Sequence, residues 1–198
     1  MAGGTDTNRY VFGLGNPGLR YRKTRHNVGF MVLKQLCRRW AFGRAKSKFH
    51  SRVWTGRIGP MPVLLLAPQT YMNRSGQAVA EALAFYRAKP SAALVVLDDL
   101  SLPTGRLRAR ASGSEGGHKG LGDILAALGG EDVPRLRIGI GTPPEGIDAV
   151  EYVLTRIDKH QKQVMAEAIA RAADAAQDWV AKGIDYVMDH YNASSENA

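Results

Sequence analysis

Short apolar runs alternate along the chain with stretches in which apolar residues recur at helical spacing, and this alternation predicts an α/β domain. Tyr10–Leu14 reads as a first strand, stopped by the turn signature Gly15-Asn16-Pro17-Gly18. Phe30, Met31, Leu33, Leu36, Cys37 and Trp40 then place a helix over about 28–40. Residues 52–58 and 63–66 read as two strands joined through Gly59-Pro60, a hairpin that makes the sheet mixed. Val79, Leu83 and Tyr86 mark one face of a helix over 75–86, and 93–97 is a continuously apolar strand running into Asp98-Asp99. Basic and apolar residues alternate at period two from Arg106 to Arg110, as in a half-exposed strand. A glycine-rich loop from Gly113 to Gly117 leads to a helix over 121–128, and 136–140 is the last strand, ended by Gly141-Thr142-Pro143-Pro144. Val164, Ala168, Ala172, Ala176 and Trp179 form the stripe of a long helix over about 159–181, which Gly183 interrupts before a short one around 186–191.

The pattern contains neither linker nor internal repeat, so one domain is expected over residues 10–192, with a flexible extension at 1–9 and a disordered tail at 193–198. The longest apolar stretch, Val63–Ala67, lies between two prolines and is far short of the roughly 20 residues that cross a bilayer. Residues 1–10 carry no targeting pattern, and the single cysteine, Cys37, fits a reducing compartment; a cytoplasmic protein is the expectation. The net charge of +9 is distributed unevenly. No acidic residue occurs between Asp6 and Glu81, a span with fourteen lysines and arginines, and such a field attracts polyanions.

The candidate chemistry gathers where strands end. Asn16 follows the first strand, Asn73 opens the second helix and Asp98 ends the buried strand; in open α/β sheets ligands bind at that end. Each also has an ordinary explanation: a turn residue before Pro17, a helix N-cap, and a turn cap. His26, just ahead of a helix, is either a surface residue or a general base oriented by a carboxylate, for which Asp98 is the natural partner. His118, in the glycine-rich loop, is equally suited to touching substrate and to packing. Phosphate-loop, dinucleotide and Gly-x-Ser-x-Gly signatures are missing from the sequence, Cys37 lies within an amphipathic helix, and no metal-ligand cluster stands out. What remains is attack by water promoted by a histidine.

Six segments resemble the bacterial peptidyl-tRNA hydrolase family, in its order and spacing, over about residues 10 to 190. They are Phe12-Gly-Leu-Gly-Asn-Pro-Gly-Leu-Arg-Tyr21, Thr24-Arg-His-Asn-Val-Gly29, Pro68-Gln-Thr-Tyr-Met-Asn-Arg-Ser-Gly76, Asp98-Asp-Leu-Ser-Leu-Pro103, Gly113-Ser-Glu-Gly-Gly-His-Lys-Gly-Leu121 and Arg135-Leu-Arg-Ile-Gly-Ile-Gly141. The resemblance implies a three-layer α/β domain, a mixed twisted sheet with helices on both faces, and hydrolysis of the ester joining a peptide to the tRNA 3′ ribose. It implies that His26 is the base, that Asp98 holds and polarises it, and that Asn73 positions the water or the attacked carbonyl. By the same match Asn16 helps hold the peptide, and Tyr21, Asn27, Tyr71 and Met72 line the cleft. Arg110 and Arg137, with Arg108 nearby, correspond to the basic pair that grips the tRNA 5′ phosphate. Lys119 stands where the family has an asparagine contacting substrate near the tRNA 3′ end; a lysine cannot accept a hydrogen bond as an amide does. Residues 141–150 correspond to a mobile loop and lid, with Gly146 fit for a hinge. Peptidyl-tRNA is thus the implied partner, for a monomer with neither metal nor other cofactor and no membrane attachment. Relatives that act as RNA-splicing cofactors share the fold without hydrolysing, so the site must decide. His26, Asn16, Asn73 and Asp98 are all retained here, which favours the enzyme.

Overall fold

The computed structural model describes residues 8–130 and 132–193; the expected extension, through residue 7, and the expected tail, from residue 194, lie outside the described residues. Seven strands form one sheet: β1 (Arg9–Gly13), β2 (Lys46–Lys48), β3 (Ser51–Ile58), β4 (Met61–Pro68), β5 (Ala93–Asp99), β6 (Leu107–Arg110) and β7 (Arg135–Gly139), in the order β2-β3-β4-β1-β5-β7-β6. The four inner strands β4, β1, β5 and β7 are parallel, and the hairpin partner β3, with β2 and β6, adds antiparallel edges. The mixed sheet expected from the 52–66 hairpin is therefore present.

Successive residues of a strand point to opposite faces, and the apolar inner strands feed two cores accordingly. Val11, Leu65, Val96 and Ile138 pack with α1 (Val28–Arg39), α5 (Lys162–Lys182) and α6 (Ile184–Tyr191). Phe12, Leu66, Val95 and Leu97 pack with α2 (Ser75–Tyr86) and α3 (Lys119–Leu128) on the other side. The result is three layers. A short helix, α4 (Ala149–Val153), stands beside the ends of the inner strands.

Some details differ from the sequence pattern. β2 is Lys-Ser-Lys, wholly exposed at the sheet edge, so it carries no apolar signal. β1 starts at Arg9, within the stretch expected to be flexible, because Arg9 pairs with Val63. In α5 the buried residue of the first turn is Met165, not Val164, which is 44% exposed; Met165, Ala168, Ala172, Ala176 and Trp179 follow the helical repeat more closely. Asn73 caps no helix: it sits in a 3-10 turn (Met72–Arg74), and the Asp123 carboxylate from α3 accepts from Gly76 N–H at the start of α2.

Two glycines set the position of the site. A Cβ on Gly13 would overlap the carbonyl of Gly29, and one on Gly29 would overlap Leu14 N and Val96 O. Without side chains there, the first turn of α1 rests directly on the ends of β1 and β5. That close approach brings the residues just before α1 over the residues just after Val96, which are the two ends of the candidate pair.

Candidate active site

His26 lies in a 3-10 turn (Arg25–Asn27) leading into α1, and Asp98 is the sixth residue of β5. Their side chains meet: His26 Nδ1 is 2.8 Å from Asp98 Oδ1 and 3.0 Å from Oδ2. Asp98 is only 2% exposed. Burial alone pushes its carboxyl up, but the opposing charge and hydrogen bonds of His118 and then His26 outweigh it and hold the group well below the usual carboxylate range. An ionised carboxylate only accepts, so His26 carries its ring proton on Nδ1 and turns Nε2, a lone pair, away from the acid.

His118 gives the carboxylate a second anchor. As N-cap of α3, its Nδ1 accepts from the Leu121 amide at 3.1 Å, so its proton resides on Nε2, which donates to Asp98 Oδ1 at 3.1 Å. The rings of His26 and His118 are 5.1 Å apart. His26, Asp98 and His118 are also the group among the described residues whose ligand atoms approach within 4.8 Å of one another. A metal on His118 Nε2 would require the ring proton to move to Nδ1, against the Leu121 N–H. The cap therefore favours a proton network over metal ligation.

This folded arrangement carries a stability signature. Because the carboxyl of Asp98 is depressed in the folded state, its contribution is fully present above its unfolded value, about 3.9, and is lost as pH falls through the lower folded value. Urea unfolding between pH 5 and 2 is therefore expected to show a shallower loss of stability in Asp98→Asn than in the native chain. Parallel curves would contradict the depressed carboxyl.

The amide side of the cleft is equally ordered. Asn16, at the end of the β1 turn, exchanges two bonds with the buried Asn27: its backbone N–H donates to Asn27 Oδ1 at 2.9 Å and its carbonyl accepts from Nδ2 at 3.0 Å. The Asn16 Oδ1 accepts from Met72 N–H at 2.9 Å, which joins the β1 turn to the turn after β4 and leaves the amide NH2 to offer a ligand. Asn73, next in that turn, is exposed to the cleft. The cleft holds about 610 Å³. Asn16, His26, Met72, Asn73, Asp98 and His118 line it, with Tyr71 and Lys119 on its rim side; α4 and the following residue supply a wall of Ala149, Val150, Val153 and Leu154.

Arginines occupy one face beside the cleft. Arg108 on the edge strand β6 lies opposite Arg137 on β7, and Arg110 lies opposite Arg135. Arg108 and Arg110 are exposed, whereas Arg137 is held by Asp99 Oδ2 at 3.0 Å and by the Ser114 carbonyl at 2.9 Å. β7 is an inner strand, and Arg137 lines the cleft. The buried Arg135 donates to the carbonyls of Val133 and Gly113, so the two β7 arginines tether the glycine-rich loop.

The structure thus gathers His26, Asp98, Asn73, Asn16, Tyr71, Met72, Lys119 and Arg137 around one cleft. It does not bring Tyr21 or Asn27 to the lining: Asn27 is buried beneath Asn16, and Tyr21 stacks under Arg20, whose guanidinium is 4.5 Å from the ring centre. Asp99, Ser101, Val153 and Leu154 carry no site signal in the sequence, Ala149 and Val150 fall in the 141–150 stretch matched to a lid, and His118 reads equally as substrate contact and as packing. The signal for His118 was its place directly before a helix; the carboxylate it reaches was hidden in the fold.

Similarity to known proteins agrees with this arrangement. The model of the family described as peptidyl-tRNA hydrolase matches residues 10–198. The chain is 49% identical to the peptidyl-tRNA hydrolase of Rhodopirellula baltica, over 94% of this chain and 98% of that one. It is 45% identical to that of Syntrophomonas wolfei, over 93% and 100%. The crystal structure of peptidyl-tRNA hydrolase from Acinetobacter baumannii is similar with a TM-score of 0.89 at 36% identity, over 97% of this chain and 98% of that one.

Proposed function

Because this chain belongs to the peptidyl-tRNA hydrolase family, we propose that it cleaves the ester between peptide and tRNA 3′ ribose with His26 as the general base. The observation that carries the reading is the 2.8 Å His26–Asp98 contact at the floor of a cleft lined by two side-chain amides. Water held at His26 Nε2 gives its proton to the ring as its oxygen attacks the ester carbonyl; the tetrahedral adduct then expels the ribose 3′ oxygen, which takes that proton back, and Asp98 stabilises the imidazolium in between. Asn73 donates to the attacking water or to the oxygen that gains charge, and the Asn16 NH2 holds a peptide carbonyl. A positioned base contributes roughly 10²–10⁴-fold and an oriented donor about 10²–10³-fold. An ester, being more reactive than an amide, needs neither a covalent intermediate nor a metal beyond these. Tyr71, Met72 and Lys119 are the candidates for contact with the peptide and the tRNA 3′ end, and Asn27 supports Asn16 from beneath.

Arg108, Arg110 and Arg137 are proposed to bind tRNA phosphate. Each phosphate contact adds about 0.7–0.9 to the slope of log affinity against log salt. Arg110→Ala and Arg137→Ala are each expected to weaken tRNA binding and to flatten that slope by about one contact. A slope identical to that of the native chain would remove the residue from the interface. The activity itself is tested by incubating the chain with an N-blocked aminoacyl-tRNA beside one with a free amine. Release from the blocked substrate is expected; tRNA binding without release would mark an RNA-binding relative instead.

A further inference from the structure

Arg25 directly precedes the proposed base, yet it is only 2% exposed, and its guanidinium does not face the cleft. Nη1 donates to Thr155 Oγ1 at 2.8 Å and to the carbonyl of Arg156; Nη2 donates to Asp158 Oδ2 and Gln161 Oε1, both at 2.7 Å. The guanidinium also stacks on the Tyr152 ring, 4.5 Å from its centre, and the Tyr152 hydroxyl donates to the Ile140 carbonyl at 3.0 Å. The backbone repeats the link: Arg25 N–H donates to Thr155 O at 3.0 Å, and Thr24 forms a β-bridge with Arg156. Every one of these partners of Thr24 and Arg25 lies in α4, the cleft's wall, or within residues 155–161 after it. That wall is apolar and partly bare, with Val150 and Leu154 among the exposed large hydrophobic residues.

From these contacts we infer that Arg25 is a positioning residue that clamps the α4 wall against the turn bearing His26, so that base and apolar wall keep a fixed separation across the substrate. Four acceptors spread over residues 155–161 need a planar fork with several donors; a lysine ammonium, a single point on a flexible stem, cannot span them. The preceding segment has a glycine at positive φ, Gly146, and only the C-terminal side of α4 is clamped, so a released wall would swing from the far end. The His26–Asp98 bond does not pass through the clamp. Its loss should weaken the grip on substrate more than the chemical step.

The inference rests on the hydrolase reading for its kinetic arm, while its physical arm stands without it. Two variants are compared with the native full-length chain: Arg25→Lys, which keeps the charge and loses the fork, and Asp158→Ala, which removes a 67% exposed partner remote from the cleft and leaves Arg25 in place. Amide exchange across residues 149–155 should accelerate about tenfold in both, with little change in the amides of the inner strands. KM for an N-blocked aminoacyl-tRNA should rise about five- to tenfold while kcat stays within about twofold, a split that general destabilisation does not produce. Unchanged exchange in Asp158→Ala would overturn the clamp. A fall in kcat at constant KM would overturn its role in holding the wall, placing the effect on His26 instead. If Arg25→Lys fails to fold, Asp158→Ala alone carries the test. If the native chain releases no peptide, the hydrolase reading fails while the exchange result still decides the clamp.

Discussion

His26→Ala is expected to lower kcat for peptide release by about 10²–10⁴-fold while tRNA affinity stays within a few-fold of native. The proposed hydrolysis needs a proton acceptor at the attacking water, and the bond to Asp98 leaves the other ring nitrogen of His26 as a lone pair for that role. His118 cannot take over: one nitrogen accepts from Leu121 and the other donates to Asp98. Nor is the cysteine a ready nucleophile, since Cys37 does not line the cleft and burial pushes its thiol up to about 11, an effect only partly offset by Arg52. Some acceleration over water should survive through the Asn16 and Asn73 amides, as substrate orientation does not depend on the base. Affinity should persist because the proposed phosphate contacts lie on β6 and β7. Single-turnover release from N-blocked aminoacyl-tRNA, beside a filter-binding measurement, separates the two effects. Native kcat in the variant would mean that some other group takes the proton.

The amino-acid pattern disclosed most of the fold because β1, β4 and β5 are largely apolar on both sides and end at glycine, proline and aspartate. It disclosed the candidate pair because Asp98 is an acid at the end of such a strand. Pattern was least informative about charge. Fourteen lysines and arginines without a nearby acid suggested a free basic surface, yet Arg25 pairs with Asp158 and Arg39 with Asp174, acids more than a hundred residues later. A linear count of charge cannot register such pairings, so the field available to a polyanion is smaller than the count implies. The same blindness to distant contact hid His118, which sits in a flexible-looking loop until the sheet delivers Asp98 to it. Val164 and Met165 differ for a local reason: at the start of a helix, either residue continues the stripe, and only packing selects one.

Asp98→Asn is expected to cost kcat about 10²–10⁴-fold as well, although the amide is nearly isosteric, because the network dictates which way the amide points. Asp98 Oδ1 receives protons from both imidazoles, at 2.8 Å from His26 and 3.1 Å from His118. The Leu121 N–H fixes the His118 proton on Nε2, so the amide must place its oxygen where Oδ1 was. Its NH2 then takes the Oδ2 position, 3.0 Å from His26 Nδ1 in the native chain, where a donor faces a donor. The amide oxygen still accepts from His26 Nδ1 at the 2.8 Å position, but the donor beside it weakens the hold on the Nδ1 tautomer, and the proposed imidazolium loses its counter-charge. Ring-nitrogen NMR on the variant reads this tautomer directly. Adding His118→Ala to Asp98→Asn frees the amide to flip, but a flipped NH2 at the Oδ1 position lies 2.8 Å from His26 Nδ1, nearer than at Oδ2, so the flip brings no relief. The double variant should have about the kcat of Asp98→Asn alone, because His118 acts through the carboxylate that is already lost. His118→Ala alone removes the cap of α3, at about 1 kcal/mol of stability, and should leave His26 with its proton on Nδ1. A double variant slower than Asp98→Asn would show that His118 acts on the substrate rather than through the carboxylate.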